Sequence, residues 1–260
     1  MSLLREVSKI LYKTKLCIFF EIKKHGFKLR YFPTKISKRL WQDSFEKRGV
    51  YDLGDKLFFD CLRSGGVVID VGANIGYYTL LSAQIVGQSG YVYSVEAHPK
   101  TFGYLEKNIA LNKYENITMF NVALGEKKGN VTFSDEIKDD LNRVSGDGGL
   151  VVLMDKLDNL EIYHEKINLL KIDVEGYEKF VMNSADETLK KTETIFFEAW
   201  SKNFEKYGYT LSDIFDVLRE FGFIYLVNGE SGYEVIDENF KPDKCVDIIA
   251  TKYPSKFIEL

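Results

Sequence analysis

Val67-Val68-Ile69-Asp70-Val71-Gly72-Ala73-Asn74-Ile75-Gly76-Tyr77-Tyr78-Thr79-Leu80-Leu81 is the stretch whose reading decides the fold. A short apolar run with the character of a buried strand passes into a glycine-bearing turn, which opens a helix. Glycine lets a backbone pass close to a ligand. The first turn of a helix offers free N–H groups and a positive dipole end to an anion. In an open α/β sheet, ligands bind beyond the carboxyl ends of the strands.

The spacing is D-x-G-x-N-x-G. A dinucleotide fingerprint starting at Gly72 would need glycines at 74 and 77, where Asn74 and Tyr77 stand. The turn therefore lacks the small residues that make room for a pyrophosphate. A carboxylate-bearing ligand such as S-adenosylmethionine suits it better. Glu96 closes the next apolar run, Tyr91–Val95, at the distance where an acid accepts hydrogen bonds from both ribose hydroxyls. Asn121, Val122 and Ala123 end a third run, where the amide can address an adenine edge and the alanine leaves room for the ring. Ala97, beside Glu96, completes the candidate cofactor set of Asp70, Gly72, Ala73, Asn74, Gly76, Glu96, Ala97, Asn121, Val122 and Ala123. His98 is read either as a partner near the adenine or as a surface residue.

Outward from this core, apolar runs at Leu169–Val174 and Thr194–Phe197 alternate with helical patterns at 101–112, 177–190 and 211–221. That alternation implies a doubly wound α/β fold with a mainly parallel sheet covered on both faces. Residues 223–227 and 246–251 read as a closing strand pair. Between two β-like pieces, Asn130–Phe133 and Leu150–Met154, lies a long polar loop, Ser134–Gly149. Loops of this length are functional or disordered. It is expected to be an acceptor-side lid, with Asn142 and Arg143 as substrate contacts.

Asp173 and Glu198 end two apolar runs that would be neighbouring strands about 4.8 Å apart, so both face the same crevice. They are the catalytic candidates: a base, a metal ligand or a hydroxyl acceptor. Glu175 and Glu178 read as helix-start acids. With only three His and no evident ligand cluster, no metal site is assigned. The four prolines lie at 33, 99, 242 and 254. None builds the N/D-P-P-Y/F turn of enzymes that methylate exocyclic base amines.

The 260 residues carry 45% hydrophobic and 28% charged residues and a net charge of −4, the profile of a globular protein without strong whole-molecule attraction to nucleic acid. Charge is uneven: residues 1–48 hold 13 Lys/Arg against 4 Asp/Glu, and the rest 22 against 35. The chain is divided accordingly into a basic N-terminal helical extension, 1–48, and a catalytic domain, 49–260. Residues 1–30 read as a basic helix packed on the body or a second subunit, or lying on a membrane surface. Residues 31–48 read as a linker. The oligomeric state is left open. Cys17, Cys61 and Cys245 are far apart and odd in number, which points to free thiols in a reducing compartment, so a cytoplasmic location is expected.

Two motifs in this order, V-I-D-V-G-A-N-I-G-Y-Y-T (68–79) and L-L-K-I-D-V-E-G-Y-E (169–178), resemble the FkbM-type S-adenosylmethionine-dependent methyltransferases. So do N-V-A-L-G (121–125), M-D-K-L-D-N-L (154–160) and I-F-F-E (195–198), over residues 50–250. The resemblance implies a Rossmann-like class I sheet of seven strands, the last antiparallel. It implies that Asp70, Gly72, Asn74 and Gly76 hold the amino-acid end of S-adenosylmethionine and Glu96 its ribose. It also implies methylation of a hydroxyl oxygen on a glycan or other small natural-product-like acceptor. An RNA ribose methyltransferase, supported only by the basic arm, and an inactive cofactor-binding relative are the alternatives.

Overall fold

The computed structural model describes residues 20–46, 53–135, 142–146, 149–229 and 232–258. Five parallel strands form the centre of the main sheet: β3 (Val67–Val71), β4 (Tyr91–Val95), β5 (Ile117–Phe120), β9 (Leu169–Ile172) and β10 (Thr194–Ala199). Three antiparallel strands complete it: β11 (Ile224–Asn228), β12 (Tyr233–Ile236) and β13 (Val246–Thr251). The order is β12-β11-β13-β10-β9-β3-β4-β5. Eight strands are thus joined where seven are expected. Strand β12 extends the edge beyond β11, and its half-exposed residues YEVI carry no buried face that would announce it in the sequence.

Alternation along each strand divides the core in two, because successive side chains point to opposite faces. Val68, Val92, Leu169 and Phe196 pack on one face, with α3 (Tyr77–Val86) and α4 (Pro99–Ala110). Ile69, Tyr93, Leu170 and Phe197 pack on the other, with α5 (Glu178–Met182), α6 (Asp186–Lys191) and α7 (Leu211–Arg219). The helical pattern expected over 177–190 is two helices, because the chain turns through Asn183–Ala185 between them. Strands β6 (Ala123–Leu124), β7 (Gly129–Phe133) and β8 (Leu150–Asp155) form a separate small sheet with its own apolar cluster, Ala123, Phe133, Val152 and Met154.

The N-terminal segment departs from expectation. Residues 1–19 lie outside the described residues, but 21–30 are not helical. They form an antiparallel hairpin, β1 (Glu21–Lys24) and β2 (Phe27–Arg30). His25 and Gly26 both take positive φ, 50° and 90°, the geometry that suits a two-residue hairpin turn to strand twist. The expected linker contains helix α1 (Lys35–Glu46), and α2 (Leu53–Cys61) follows. Ile22, Phe27, Leu29 and Phe32 are buried in the core cluster on one face of the main sheet. Each such residue stabilises the docked state by about 1.5–3 kcal/mol. Those apolar side chains are therefore turned to the protein, not to a membrane surface. Asp55, fully buried on α2, locks the hairpin in place. It accepts from the Tyr77 hydroxyl (2.9 Å) and pairs with Lys24 (3.2 Å) and His25 (3.0 Å). No helix among the described residues is long and apolar enough to cross a membrane.

Candidate active site

Where β3 ends, the backbone must turn sharply beneath the end of β9. Gly72 takes φ +76°, and a Cβ there would lie 1.9 Å from the Asp173 carbonyl oxygen. Gly72 and Ala73 donate their N–H groups to the Val95 carbonyl (2.9 and 3.0 Å), which pins the turn to β4. Asn74 also takes positive φ, 51°, which asparagine tolerates better than most residues, and its side chain accepts from the Ile75 N–H at 2.8 Å.

Glu96 anchors the opposite wall. One carboxylate oxygen accepts from the Asn74 N–H (2.9 Å) and the other from the His98 N–H (2.8 Å). Burial pushes this carboxyl up from its ordinary value to about 7, and the two backbone donors oppose that rise.

Between these walls lies a cavity lined by Gly72, Ala73, Asn74, Glu96 and Ala97, closed by Val122, Ala123 and Phe133. Asn142, from the polar loop, also lines it, and so does Tyr177. The structure sets several expected residues off this wall. Asp70 is fully buried beneath the turn, where it accepts from Thr79 Oγ1 (2.6 Å) and pairs with Lys171 Nζ (3.1 Å). Its carboxylate is spent inside the protein and is not offered to a ligand. Gly76 is needed for packing, since a Cβ would press on Leu105 at 2.6 Å. Asn121 turns its amide onto the Glu96 and Ala97 carbonyls (2.8 and 3.1 Å). Arg143 does not line the cavity; its backbone pairs with Ser134. His98 is buried against Phe133, with Nε2 3.3 Å from Asp135.

A second cavity opens on the other side of the β9 end. It is lined by Asp173, Glu198 and Asp247 from the sheet, and by Lys24, Ile36 and Arg39 from the N-terminal segment. The parallel pairing of Phe197 with Ile172 makes Asp173 and Glu198 neighbours, as their spacing implies. Burial first, then the Asp173 charge, raises the Glu198 carboxyl above its ordinary range. The Cys245 thiol hydrogen-bonds it and opposes the shift. The two cavities share Ile36, Tyr77, Tyr78, Lys171 and Asp173. Nothing in the composition of residues 1–48 separates Ile36 or Arg39 from other members of a basic arm. Tyr77 and Tyr78, in the quoted stretch itself, read simply as helix residues. Among the described residues no group of three or more His, Cys, Asp or Glu stands close enough to hold a metal ion.

Comparison with known proteins gives the family. The family model for the methyltransferase FkbM domain matches residues 70–225. A protein-L-isoaspartate O-methyltransferase from Methanothrix thermoacetophila is 40% identical over 58 residues, 22% of this chain and 28% of that protein. An arsenite methyltransferase from Halobacterium salinarum is 27% identical over 141 residues, 46% of this chain and 36% of that protein. The chain thus spans about a third of the length of these curated relatives. Among solved structures, methyltransferase FkbM from Methylobacillus flagellatus has a TM-score of 0.47 and 13% identity, covering 82% of this chain and 54% of that one. A SAM-dependent methyltransferase from Aquifex aeolicus has a TM-score of 0.47 and 14% identity, covering 80% and 94%.

The first cavity fits S-adenosylmethionine on its own geometry. Gly72 leaves a cradle that any Cβ would fill. The Glu96 carboxylate, on the cavity wall, has two backbone donors for its roughly four acceptor positions, so capacity remains for two hydroxyls. With its Rossmann-like sheet, its two ordered motifs and a family match across residues 70–225, the chain belongs to the FkbM family of S-adenosylmethionine-dependent methyltransferases.

Proposed function

We propose that the protein methylates a hydroxyl oxygen of a small, sugar-like acceptor seated in the second cavity. The observation that carries this reading is the junction: the cofactor cavity and the acid-walled cavity meet at Asp173. S-adenosylmethionine supplies an electrophilic methyl group on a sulfonium centre. Glu96 takes the ribose hydroxyls, while Gly72, Ala73 and Asn74 carry the turn against the amino-acid end. Asp173 accepts the acceptor's hydroxyl proton, and Glu198 holds a neighbouring hydroxyl. Tyr78 and Phe196 give the acceptor's ring an apolar wall. Asn142 closes the cofactor side from the loop.

In this reading residues 49–260 form the methyltransferase domain, and residues 21–46 are a cover that completes the acceptor site. The reaction is cytoplasmic, where the free thiols of Cys61 and Cys245 persist.

The test is transfer of labelled methyl from S-adenosylmethionine to a panel of monosaccharides, glycosides and small alcohols, with chelator and RNA arms. Asp173→Asn keeps the size and removes the charge. It is expected to lower kcat by about 10²-fold with little change in cofactor affinity, the contribution of a positioned base. Full activity of Asp173→Asn on the acceptor that the panel identifies would refute the base. Methylation confined to RNA would refute the acceptor class.

A further inference from the structure

Lys171 carries a charge into both halves of this site, as Asp173 does, yet the reaction as described gives it no role. It sits on β9, two residues before Asp173, and its side chain is only 2% exposed. A lone buried ammonium is costly, so it must be paired and hydrogen-bonded. Its Nζ lies 3.1 Å from Asp70 Oδ1 and 3.5 Å from Asp173 Oδ2. It donates to the Gly72 carbonyl (3.1 Å) and, at 3.4 Å, to that of Val71. It also stands 5.7 Å from the centre of the Tyr78 ring. Burial by itself would pull its proton affinity down, but the two carboxylates outweigh burial and keep it charged.

Each contact has a distinct consequence. Asp70 neutralises the ammonium from below. The Gly72 carbonyl belongs to the cofactor turn, so that turn is tied to β9 by a side chain as well as by close backbone contact. Asp173 is the carboxylate at the junction, held from the cofactor side by the same nitrogen. Lys171 itself lines both cavities.

We propose that Lys171 is a positioning residue of the methyl transfer, a single ammonium that holds the cofactor turn and the acceptor-side carboxylate in one frame. The proposal rests on the reading of Asp173 as the proton acceptor. If Lys171 merely compensates a buried Asp70, neither the cofactor turn nor Asp173 communicates with its nitrogen. If it spans the junction, both do.

The lysine side-chain amines provide a direct readout. In the full chain labelled with nitrogen-15 at lysine Nζ, a buried, hydrogen-bonded ammonium gives a slowly exchanging N–H signal. That signal is identified by its loss in the charge-neutral variant Asp70→Asn/Lys171→Gln, and independently by its proximity to the Tyr78 ring. The expected result is that it shifts on addition of S-adenosylhomocysteine and shifts again in Asp173→Asn. In the double variant, S-adenosylhomocysteine affinity is expected to fall about tenfold or more, the scale of losing hydrogen bonds from a charged group. A signal that moves with neither perturbation overturns the proposal. A signal that moves with the cofactor product but not with Asp173→Asn also overturns it, because Lys171 then serves the turn alone. Should the double variant not fold, the two shifts in the otherwise native chain decide the matter. Turnover by Asp173→Asn is scored separately. Full activity there refutes Asp173 as the base, whereas unmoved lysine signals beside an inactive Asp173→Asn refute only the role of Lys171.

Discussion

Adding one methyl group at Gly72 should disable the cofactor site. A Cβ would lie 1.9 Å from the Asp173 carbonyl oxygen and 2.9 Å from the Asp173 carbonyl carbon, both backbone atoms that no rotamer change can move. The φ of +76° adds a left-handed penalty of roughly 1–2 kcal/mol for any residue with a side chain. Relieving the contact requires the β3 and β9 ends to separate by roughly 1 Å or more to reach ordinary non-bonded distances. A displacement of that size in a reacting site costs about 10²-fold. Gly72→Ala is therefore expected to weaken S-adenosylhomocysteine binding about a hundredfold, or about 2.7 kcal/mol. The backbone penalty alone should lower the ligand-free Tm by about 2–8 °C for a chain of this size. Titration calorimetry and thermal unfolding measure the two effects. Affinity within about threefold of the native value, a difference under about 0.7 kcal/mol, would show that the close approach at Gly72 does not shape the cofactor site.

Further perturbations probe other parts of the molecule. Gly103 lies inside α4 with nothing near its missing Cβ, so Gly103→Ala should raise Tm by about 1–4 °C from helix propensity alone; a lower Tm would contradict the open surroundings. Glu96 binds its proton more tightly in the folded state, up to about 7 against an ordinary 4.5, so stability falls as pH rises through that window. Glu96→Gln should flatten this fall in Tm between about pH 4.5 and 7 while weakening S-adenosylhomocysteine tenfold or more at about pH 8. An identical pH profile in the two proteins would refute the buried titration. The Tyr207 hydroxyl donates to the Val144 carbonyl at 2.6 Å and holds that described part of the loop at the cavity wall. Tyr207→Phe should speed S-adenosylhomocysteine dissociation about fivefold, the worth of one hydrogen bond, in a stopped-flow displacement; an unchanged rate would remove the latch.

The centre of the fold was readable because apolar runs and their spacing carry it. Val67–Val71, Tyr91–Val95 and Leu169–Ile172 are strands, and Asp173 and Glu198 stand at neighbouring strand ends. The hairpin departs from the helix expected over 1–30 because the lysines and arginine of this stretch suit a basic helix as well as a strand. The signal was present in Phe27, Leu29 and Tyr31, which alternate with Lys28 and Arg30 after the turn His25-Gly26. The position of Asp70 could not be read locally. Its partner Lys171 is 101 positions further on, and only the pairing of β3 with β9 brings the two together. Asn121 and Gly76 illustrate the same limit: the turn needs their backbone or amide for itself, and a motif does not separate residues that make a site from residues that touch its ligand.

If residues 21–46 cover the acceptor site as proposed, the arrangement has a consequence for how the protein can change. Lys24, Ile36 and Arg39 reach the acid-walled cavity from a segment that precedes the main sheet, while the methyl-donor turn is built within it. On the proposed function, acceptor recognition and group transfer are then written in separate passages of the chain. Exchanging the passage that holds α1, with the buried faces of the hairpin kept as a fixed socket, offers a route to new acceptors that leaves the donor turn untouched. A designer would diversify positions 36 and 39 first and hold Phe27, Leu29 and Asp55 constant.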